Sequence, residues 1–147
     1  MTWLLPPILV LILLILMAVL ARLWPEPGLL SDPWHLLGLV PLLAGIALPL
    51  MVSRLFRRVR TNINTFRDPD VMVADGPFRI SRNPIYLGFA LILLGAALLS
   101  GAAVALLPAL AFVLITDRWY IPFEEARMSA QFGAAYDDYR RRTRRWL

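Results

Sequence analysis

Residues 82–117 read RNPIYLGFALILLGAALLSGAAVALLPALAFVLITD, a stretch without a charged residue between its first and last positions. As one helix, the apolar part from 85 to 115 would be about 46 Å long, whereas the hydrocarbon core of a bilayer is about 30 Å thick. Such a run must tilt steeply or break, and Ser100-Gly101 is the expected turn. The stretch therefore predicts a hairpin of two short membrane helices, over about 85–100 and 102–120, whose polar ends meet at one membrane face.

Composition predicts the same class of protein. Hydrophobic residues make up 59% of the 147 residues and the mean hydropathy is +0.66, against roughly 45–50% apolar residues in soluble domains. The chain is too short for a membrane bundle and a separate soluble domain, so we expect one membrane domain over 1–147. Cysteine is absent, which excludes disulfides and Cys-ligated metals. No His, Asp or Glu grouping has metal-ligand spacing, so no metal is expected.

Two further apolar runs precede the hairpin. The first, about 3–23, is long enough to span a bilayer and lacks the basic residues that precede the core of a secretory signal, which favours a spanning helix over a signal peptide. The second, about 34–55, contains Pro41 and Pro49, which a kinked membrane helix tolerates. The predicted fold is all-α and integral to the membrane, with four transmembrane helices.

After the hairpin, the sequence predicts an amphipathic interfacial helix over 122–146. Pro122 suits a first helical position, and Glu124 and Glu125 suit a first helical turn. A largely apolar stripe then recurs every three or four residues beside a cluster of arginines, a pattern typical of a helix that lies at a membrane surface. The stripe consists of Met128, Phe132, Tyr136, Tyr139, Thr143 and Trp146.

The arginines predict the orientation of the chain. All 15 basic residues are arginines, of which seven lie between positions 54 and 82 and seven from position 118 onwards. Because cytoplasmic segments of membrane proteins are rich in basic residues, we expect the loop 56–83 and both termini to be cytoplasmic. The expected location is the cell membrane, with membrane lipids as partners. No feature favours nucleic acid, and the oligomeric state is left open.

The tripeptide Arg82-Asn83-Pro84 predicts the start of the first hairpin helix. Asn is a strong N-cap residue and Pro is favoured at the first helical position, so Asn83 is expected to cap the helix and Pro84 to open it. The free N–H groups of a helix N-terminus attract anions, and Arg82 adds a positive charge beside them. The tripeptide fits either an ordinary capped helix or a site for a carboxylate or phosphate.

The motifs together resemble a known superfamily of membrane enzymes. Arg82-Asn83-Pro84-x-Tyr86-x-Gly88 is followed, after a gap of hairpin length, by Glu124-Glu125 and then by Phe132-Gly133-x-x-Tyr136-x-x-Tyr139. This order resembles the isoprenylcysteine carboxyl methyltransferase and phospholipid methyltransferase superfamily, from about Gly76 to the last residue. One departure is that the eukaryotic carboxyl methyltransferases have His at the position of Asn83.

The resemblance implies an integral membrane methyltransferase that uses S-adenosylmethionine. Its cofactor-binding residues, carried over by position, would be Arg82, Asn83, Pro84, Tyr86 and Gly88 on one side and Glu124 and Glu125 on the other. A helix N-terminus with Arg82 suits the methionyl carboxylate, and a carboxylate such as Glu125 suits a ribose diol or an ammonium group. Close helix packing is an alternative role for Gly88.

The acceptor is expected to be an amphipathic or lipid-like molecule that enters from the bilayer. A carboxylate acceptor needs only a cation to seat it, for which Arg79 or Arg127 would serve in the catalytic site. An amine or phenol must lose a proton, which Asn83 cannot accept, so O-methylation of a carboxylate is slightly favoured. The single histidine, His35, lies at the outer end of the second span, where interfacial packing is the expected role.

Two rival functions stay open at this stage. One is a small membrane protein without enzymatic activity that keeps this scaffold for lipid binding or assembly, with Asn83 marking lost catalysis. The other is a nicotinamide-dependent membrane reductase, because the membrane sterol reductases share a related C-terminal architecture. A reductase should have additional membrane helices and a second basic site, and the chain is too short for the former.

Overall fold

The computed structural model of the chain describes residues 5–24, 33–59 and 71–147, and this part of the chain is helical without a β-strand. Parts of the predicted first span and of both predicted loops, including Arg60 and Arg67, lie outside the described residues. Short 3₁₀ turns precede three of the helices, at Trp34–Gly38, Gly76–Arg79 and Ala103–Ala105. The α-helices are α1 (Pro6–Leu23), α2 (Leu39–Val59), α3 (Pro84–Ser100), α4 (Leu106–Ile115), α5 (Ile121–Phe132) and α6 (Ala134–Arg142).

Several helical runs are apolar and long enough to cross a membrane. Three such runs occur in the described part of the chain, Pro6–Leu23, Trp34–Val59 and Ala103–Phe132. Helix α3 is equally apolar but has 17 residues, which correspond to about 25 Å. The fold is therefore all-α and of the membrane class, with three or four helices able to span.

The chain turns at Gly101, as the sequence predicts. Gly101 ends α3 with φ 69°, a left-handed conformation that glycine adopts without the steric cost of a Cβ atom. Helix α4 then packs back against α3, where the Phe89 ring meets the edge of Phe112 at a centroid distance of 6.3 Å. One face of α1, which includes Leu13 and Met17, joins the same buried cluster.

Helices α2 and α3 lie antiparallel in close contact through two pairs of glycines. A Cβ atom added to Gly45 would lie 2.6 Å from the carbonyl oxygen of Gly88, and one added to Gly95 would lie 2.7 Å from that of Gly38. Contacts this short do not occur for real Cβ atoms. The four glycines, spaced seven positions apart on α3 (Gly88 and Gly95) and on α2 with its preceding 3₁₀ turn (Gly45 and Gly38), thus let the two backbones touch and fix where α3 begins relative to α2.

The second arm of the hairpin does not end before Pro122. Helix α4 continues through a π-helical turn, Thr116–Tyr120, directly into α5, so the helical run extends from Ala103 to Phe132. The missing N–H of Pro122 falls just after this wider turn, where the regular hydrogen-bond ladder is already interrupted. Pro122 therefore costs the helix less there than in a regular stretch.

The predicted single helix over 122–146 is divided in two. Gly133, with φ 50°, ends α5, and α6 begins at the next residue. Tyr136, Tyr139 and Thr143 from the predicted stripe are buried within the protein instead of forming an exposed surface. The Tyr139 hydroxyl donates a hydrogen bond of 2.8 Å to the carbonyl oxygen of Phe78. The stripe therefore docks α6 onto the segment that leads into α3.

Candidate functional site

The start of α3 has the predicted residues but a different hydrogen-bond arrangement. Asn83 occupies the N-cap position and Pro84 opens the helix, yet the Asn83 side chain makes no capping hydrogen bond. Its Nδ2 group donates instead to the carbonyl oxygen of Arg145 at 3.0 Å. The expectation of a side-chain cap is thus wrong, because a distant carbonyl recruits the amide of Asn83.

That carbonyl belongs to the last five residues, 143–147, which we call the C-terminal strap. The Arg82 N–H donates to the Arg144 carbonyl oxygen at 2.9 Å, and the Ser81 hydroxyl donates to that of Arg145 at 3.2 Å. Thr143, the first strap residue, has an extended backbone and a buried side chain. The end of the chain therefore runs along the segment before α3 and hydrogen-bonds to it.

A network of four charged side chains lies where the strap, α3 and α5 meet. Glu125 receives Arg82 Nη2 on Oε1 at 3.0 Å and Arg145 Nη2 on Oε2 at 2.7 Å. Arg145 also reaches Asp117 with Nη1 at 3.2 Å, and the Trp146 indole N–H donates to the same Asp117 oxygen at 3.0 Å. We call Arg82, Glu125, Arg145 and Asp117 the charge network. It joins the two motifs that the sequence predicts to meet.

Within the network, the two arginines differ in solvent access. The side chains of Arg82 and Glu125 are 11% and 10% exposed, whereas that of Arg145 is 33% exposed. Hydrogen bonding to Glu125 raises the pKa of Arg145 above its ordinary value. Arg145 therefore stays charged at any physiological pH, although it is the more accessible cation of the pair.

Arg82 also has a donor that no other described residue engages. Its Nε atom is buried, and no acceptor within the described residues lies at hydrogen-bonding distance. A buried N–H without a partner costs about 1–3 kcal/mol, more for a charged group. A ligand oxygen at this position would remove that cost.

Tyr86 and Glu124 place a second polar pair beside the network. The Tyr86 hydroxyl donates to Glu124 Oε1 at 2.7 Å, and its ring lies 6.2 Å from that of Tyr120. Gly88, two residues further along α3, faces α2, where an added Cβ would lie 2.6 Å from Pro49 Cδ. The absence of a side chain at Gly88 is thus accounted for by helix packing, and its contact with a cofactor stays a prediction.

The two arginines predicted to seat the acceptor lie in separate places. Arg79 follows Pro77 and Phe78 in the short helix before α3 and is held by Asp75 at 2.7 Å. It borders a cleft of about 410 Å³ that is also lined by Tyr139 and Thr143. Arg127 lies on α5, with its guanidinium 5.5 Å from the centre of the Phe123 ring. Arg79 thus lines this open cleft together with its partner Asp75, whereas Arg127 does not line it.

Sequence reasoning gave no role in the site to Ser81, Asp117, Arg145 and Trp146, although Trp146 belongs to the predicted stripe. Asp117 carried one signal, since it is the first charged residue after the apolar run. Arg145 is one of five arginines among the last eight residues, and no local pattern distinguishes it from its neighbours. Only the path of the strap shows which of these five C-terminal arginines reaches Glu125.

Comparisons with known proteins show a family to which the chain is similar. The sequence profile of the phospholipid methyltransferase family matches residues 33–135, more than two thirds of the chain. A protein of Haemophilus influenzae, named only as an uncharacterized protein, is 36% identical over 63 residues, which make up 43% of this chain and all of that relative. No solved structure gives a significant match.

Proposed function

The chain belongs to the phospholipid methyltransferase family, and we propose that it is an integral membrane methyltransferase that uses S-adenosylmethionine and methylates a lipid-like acceptor. The cofactor would lie between the start of α3 and the first turn of α5. The observation that carries the proposal is the buried Nε donor of Arg82, which has no partner among the described residues and lies beside a cluster of carboxylates. S-adenosylmethionine carries both a carboxylate and cationic groups, so each side of the site has a matching partner.

Arg82 would hold the methionyl carboxylate. Its Nη2 atom is fixed by Glu125 and its backbone by the strap, so the guanidinium is oriented before a ligand arrives. The Nε–H is then the donor available to a carboxylate oxygen. A charge-assisted hydrogen bond in a buried site contributes about 1.5–3 kcal/mol.

Glu124 and Glu125 would face the ammonium group and the ribose diol. Both are acceptors when ionised, which suits N–H⁺ and O–H donors. Tyr86 orients Glu124, and Arg82 orients Glu125. Asn83 and Pro84 would contribute by shaping the helix start rather than by a side-chain cap.

The chemistry demanded of the protein is mainly alignment. When bound, S-adenosylmethionine supplies a methyl group activated by a sulfonium sulfur. The residues of the site would hold that methyl in line with the acceptor and exclude water. The Asn83 amide is engaged by the strap and offers no base, so a carboxylate acceptor, seated by Arg79 at the open cleft, is slightly favoured over an amine.

The direct test is binding of S-adenosylmethionine and S-adenosylhomocysteine to the purified protein in nanodiscs, by isothermal titration calorimetry. Arg82→Lys keeps the charge but removes the Nε donor, and it should weaken binding by about 1.5–3 kcal/mol. Arg141→Lys, at a side chain that is 71% exposed and paired with Asp138, is the matched control and should bind as the parent does. Absence of binding by the parent would favour a non-enzymatic lipid-binding role.

Methyl transfer would then identify the acceptor class. Radiolabelled S-adenosylmethionine is incubated with nanodiscs that contain either a fatty or isoprenoid acid or an aminophospholipid. Base-labile label in the acid would support O-methylation of a carboxylate. Label in the aminophospholipid alone would overturn the carboxylate preference while leaving the methyltransferase proposal intact.

A further inference from the structure

Glu125 is already bound by two cations of the protein itself, which raises the question of how it would receive a cofactor cation. Both of its oxygens are engaged by guanidinium groups, Oε1 by Arg82 Nη2 and by Arg145 Nε at 3.3 Å, and Oε2 by Arg145 Nη2. An ammonium group or ribose hydroxyl that approaches Glu125 must therefore bind the carboxylate beside these guanidinium groups or displace one of them. Nothing in the family match assigns a role to Arg145, which lies beyond the matched residues.

Arg145 is the cation that can be replaced. Arg82 is almost buried and its backbone N–H is hydrogen-bonded to the strap, whereas the Arg145 side chain is one-third exposed. Arg145 also has a second carboxylate within reach, because its Nη1 atom lies 3.2 Å from Asp117. Arg145 can leave Glu125 and still be paired with Asp117. An arginine paired with Glu125 alone would be left as an unpaired charge.

We propose that Arg145 is an internal substitute for the cofactor ammonium: it neutralises Glu125 in the free protein and retains only Asp117 when the ammonium takes its place. The proposal rests on the function proposed above. Charge is conserved in the exchange, since one cation replaces another on Glu125 and Asp117 retains the displaced guanidinium. Trp146, bonded to the same Asp117 oxygen, keeps the strap in place meanwhile.

The proposal predicts that substitutions of Arg145 and of Asp117 change the affinity for S-adenosylhomocysteine in opposite directions. Arg145→Gln removes the competing cation, so S-adenosylhomocysteine should bind several-fold more tightly than to the parent. Asp117→Asn removes the place to which Arg145 withdraws, so S-adenosylhomocysteine should bind several-fold more weakly. A strap that had only been loosened would change both affinities in the same direction.

The experiment is calorimetric titration of the parent and these two variants in nanodiscs with two ligands. The second ligand is the S-adenosylhomocysteine analogue that lacks the α-amino group, which does not need Glu125 to be vacated. Its affinity should be the same for the parent and Arg145→Gln. Arg145→Lys should restore the parental affinity for S-adenosylhomocysteine, and Arg144→Gln, at an exposed side chain, is the control.

The outcomes separate this proposal from the proposed function. If the parent binds S-adenosylhomocysteine but Arg145→Gln binds it equally or more weakly, the substitution idea is overturned while the methyltransferase proposal stands. An equal gain for the analogue without the amino group would also overturn it, because no cation would then be competing. If neither the parent nor any variant binds either ligand, both proposals fall together.

Discussion

At the scale of single residues, Glu125 has more than one task. The resemblance of the sequence implies that it is a cofactor ligand. In the structure it also neutralises Arg82 and Arg145 and thereby ties α3, α5 and the strap together. Function and stability therefore cannot be separated at this position.

We accordingly expect Glu125→Gln to lower the stability as well as cofactor affinity. Breaking a fully buried ion pair costs about 3–5 kcal/mol, and partial exposure of Arg145 reduces this to about 2–3 kcal/mol. Glu124→Gln is the comparison variant, because Glu124 accepts a neutral hydroxyl of Tyr86 and its loss should cost about 1 kcal/mol. The measurement is the melting temperature in detergent at pH 7. Equal losses for the two variants would contradict the importance of the charge network for the fold.

Tyr139 is expected to make the stability of the protein fall at alkaline pH. Burial raises the pKa of its hydroxyl above the ordinary value of 10.0, so the folded state holds this proton more tightly than the unfolded state does. The resulting stability is fully present below about pH 10 and is lost as the pH rises further. We expect the melting temperature to fall between pH 9.5 and pH 11 by a smaller amount in Tyr139→Phe than in the parent.

The hydroxyl of Tyr139 also contributes at neutral pH. Tyr139→Phe removes the donor to the Phe78 carbonyl, and this should cost about 1 kcal/mol at pH 7. Tyr136, whose pKa burial also raises, remains in the variant and keeps part of the alkaline decline. Parallel curves for the parent and the variant over the alkaline range would show that Tyr139 titrates normally.

At the scale of the helices, the contact between α2 and α3 determines where the site is built. Gly45→Ala or Gly88→Ala would force the two backbones apart, and overpacking of this kind costs about 1–3 kcal/mol. Ala47→Leu, on the exposed face of α2, is the control and should leave the melting temperature nearly unchanged. If Gly88→Ala weakened cofactor binding at unaltered stability, Gly88 would be a cofactor contact rather than a packing residue.

Prediction of the elements from sequence succeeded where one local rule governs the backbone. Gly101 ends α3 because glycine readily adopts the left-handed conformation of the turn and because the apolar run is too long for a single span. The continuation of α4 into α5 was missed, because Pro122 is a start signal that the preceding π-helical turn makes compatible with continuation. The stripe through Tyr136 and Tyr139 was correctly periodic, but periodicity does not tell whether lipid or protein covers a face.

At the scale of the whole molecule, the sequence predicts the class and the meeting of two distant motifs. The apolar hairpin is sufficient to bring Arg82 towards Glu125, and the two residues form an ion pair of 3.0 Å. The strap could not be predicted, since its contacts join backbone carbonyls of Arg144 and Arg145 to residues more than 60 positions earlier. Such contacts depend on the path of the chain rather than on residue pattern.

Orientation in the membrane is the remaining prediction at this scale. We expect both termini to be cytoplasmic and the hairpin turn to be outside, from the distribution of arginines. The chain has no cysteine, so single cysteines introduced at Val71, Ser100 and Leu147, all exposed, report unambiguously. A membrane-impermeant maleimide applied to intact cells should label only position 100. Labelling of position 71 or 147 from outside would invert or break the topology.

The π-helical turn at Thr116–Tyr120 has a consequence for the register between Asp117 and Glu125. In a regular α-helix, side chains eight positions apart point about 80° away from each other. One wider turn of roughly 4.4 residues brings that angle within about 20°, so a single guanidinium can reach both carboxylates. Seven positions of regular helix leave a similar angle of about 20°. Deleting the exposed Trp119 would therefore straighten the helix and keep the two carboxylates aligned. In this shortened chain, Asp117 and Glu125 would stay on the same side of a helix that has no π-helical turn.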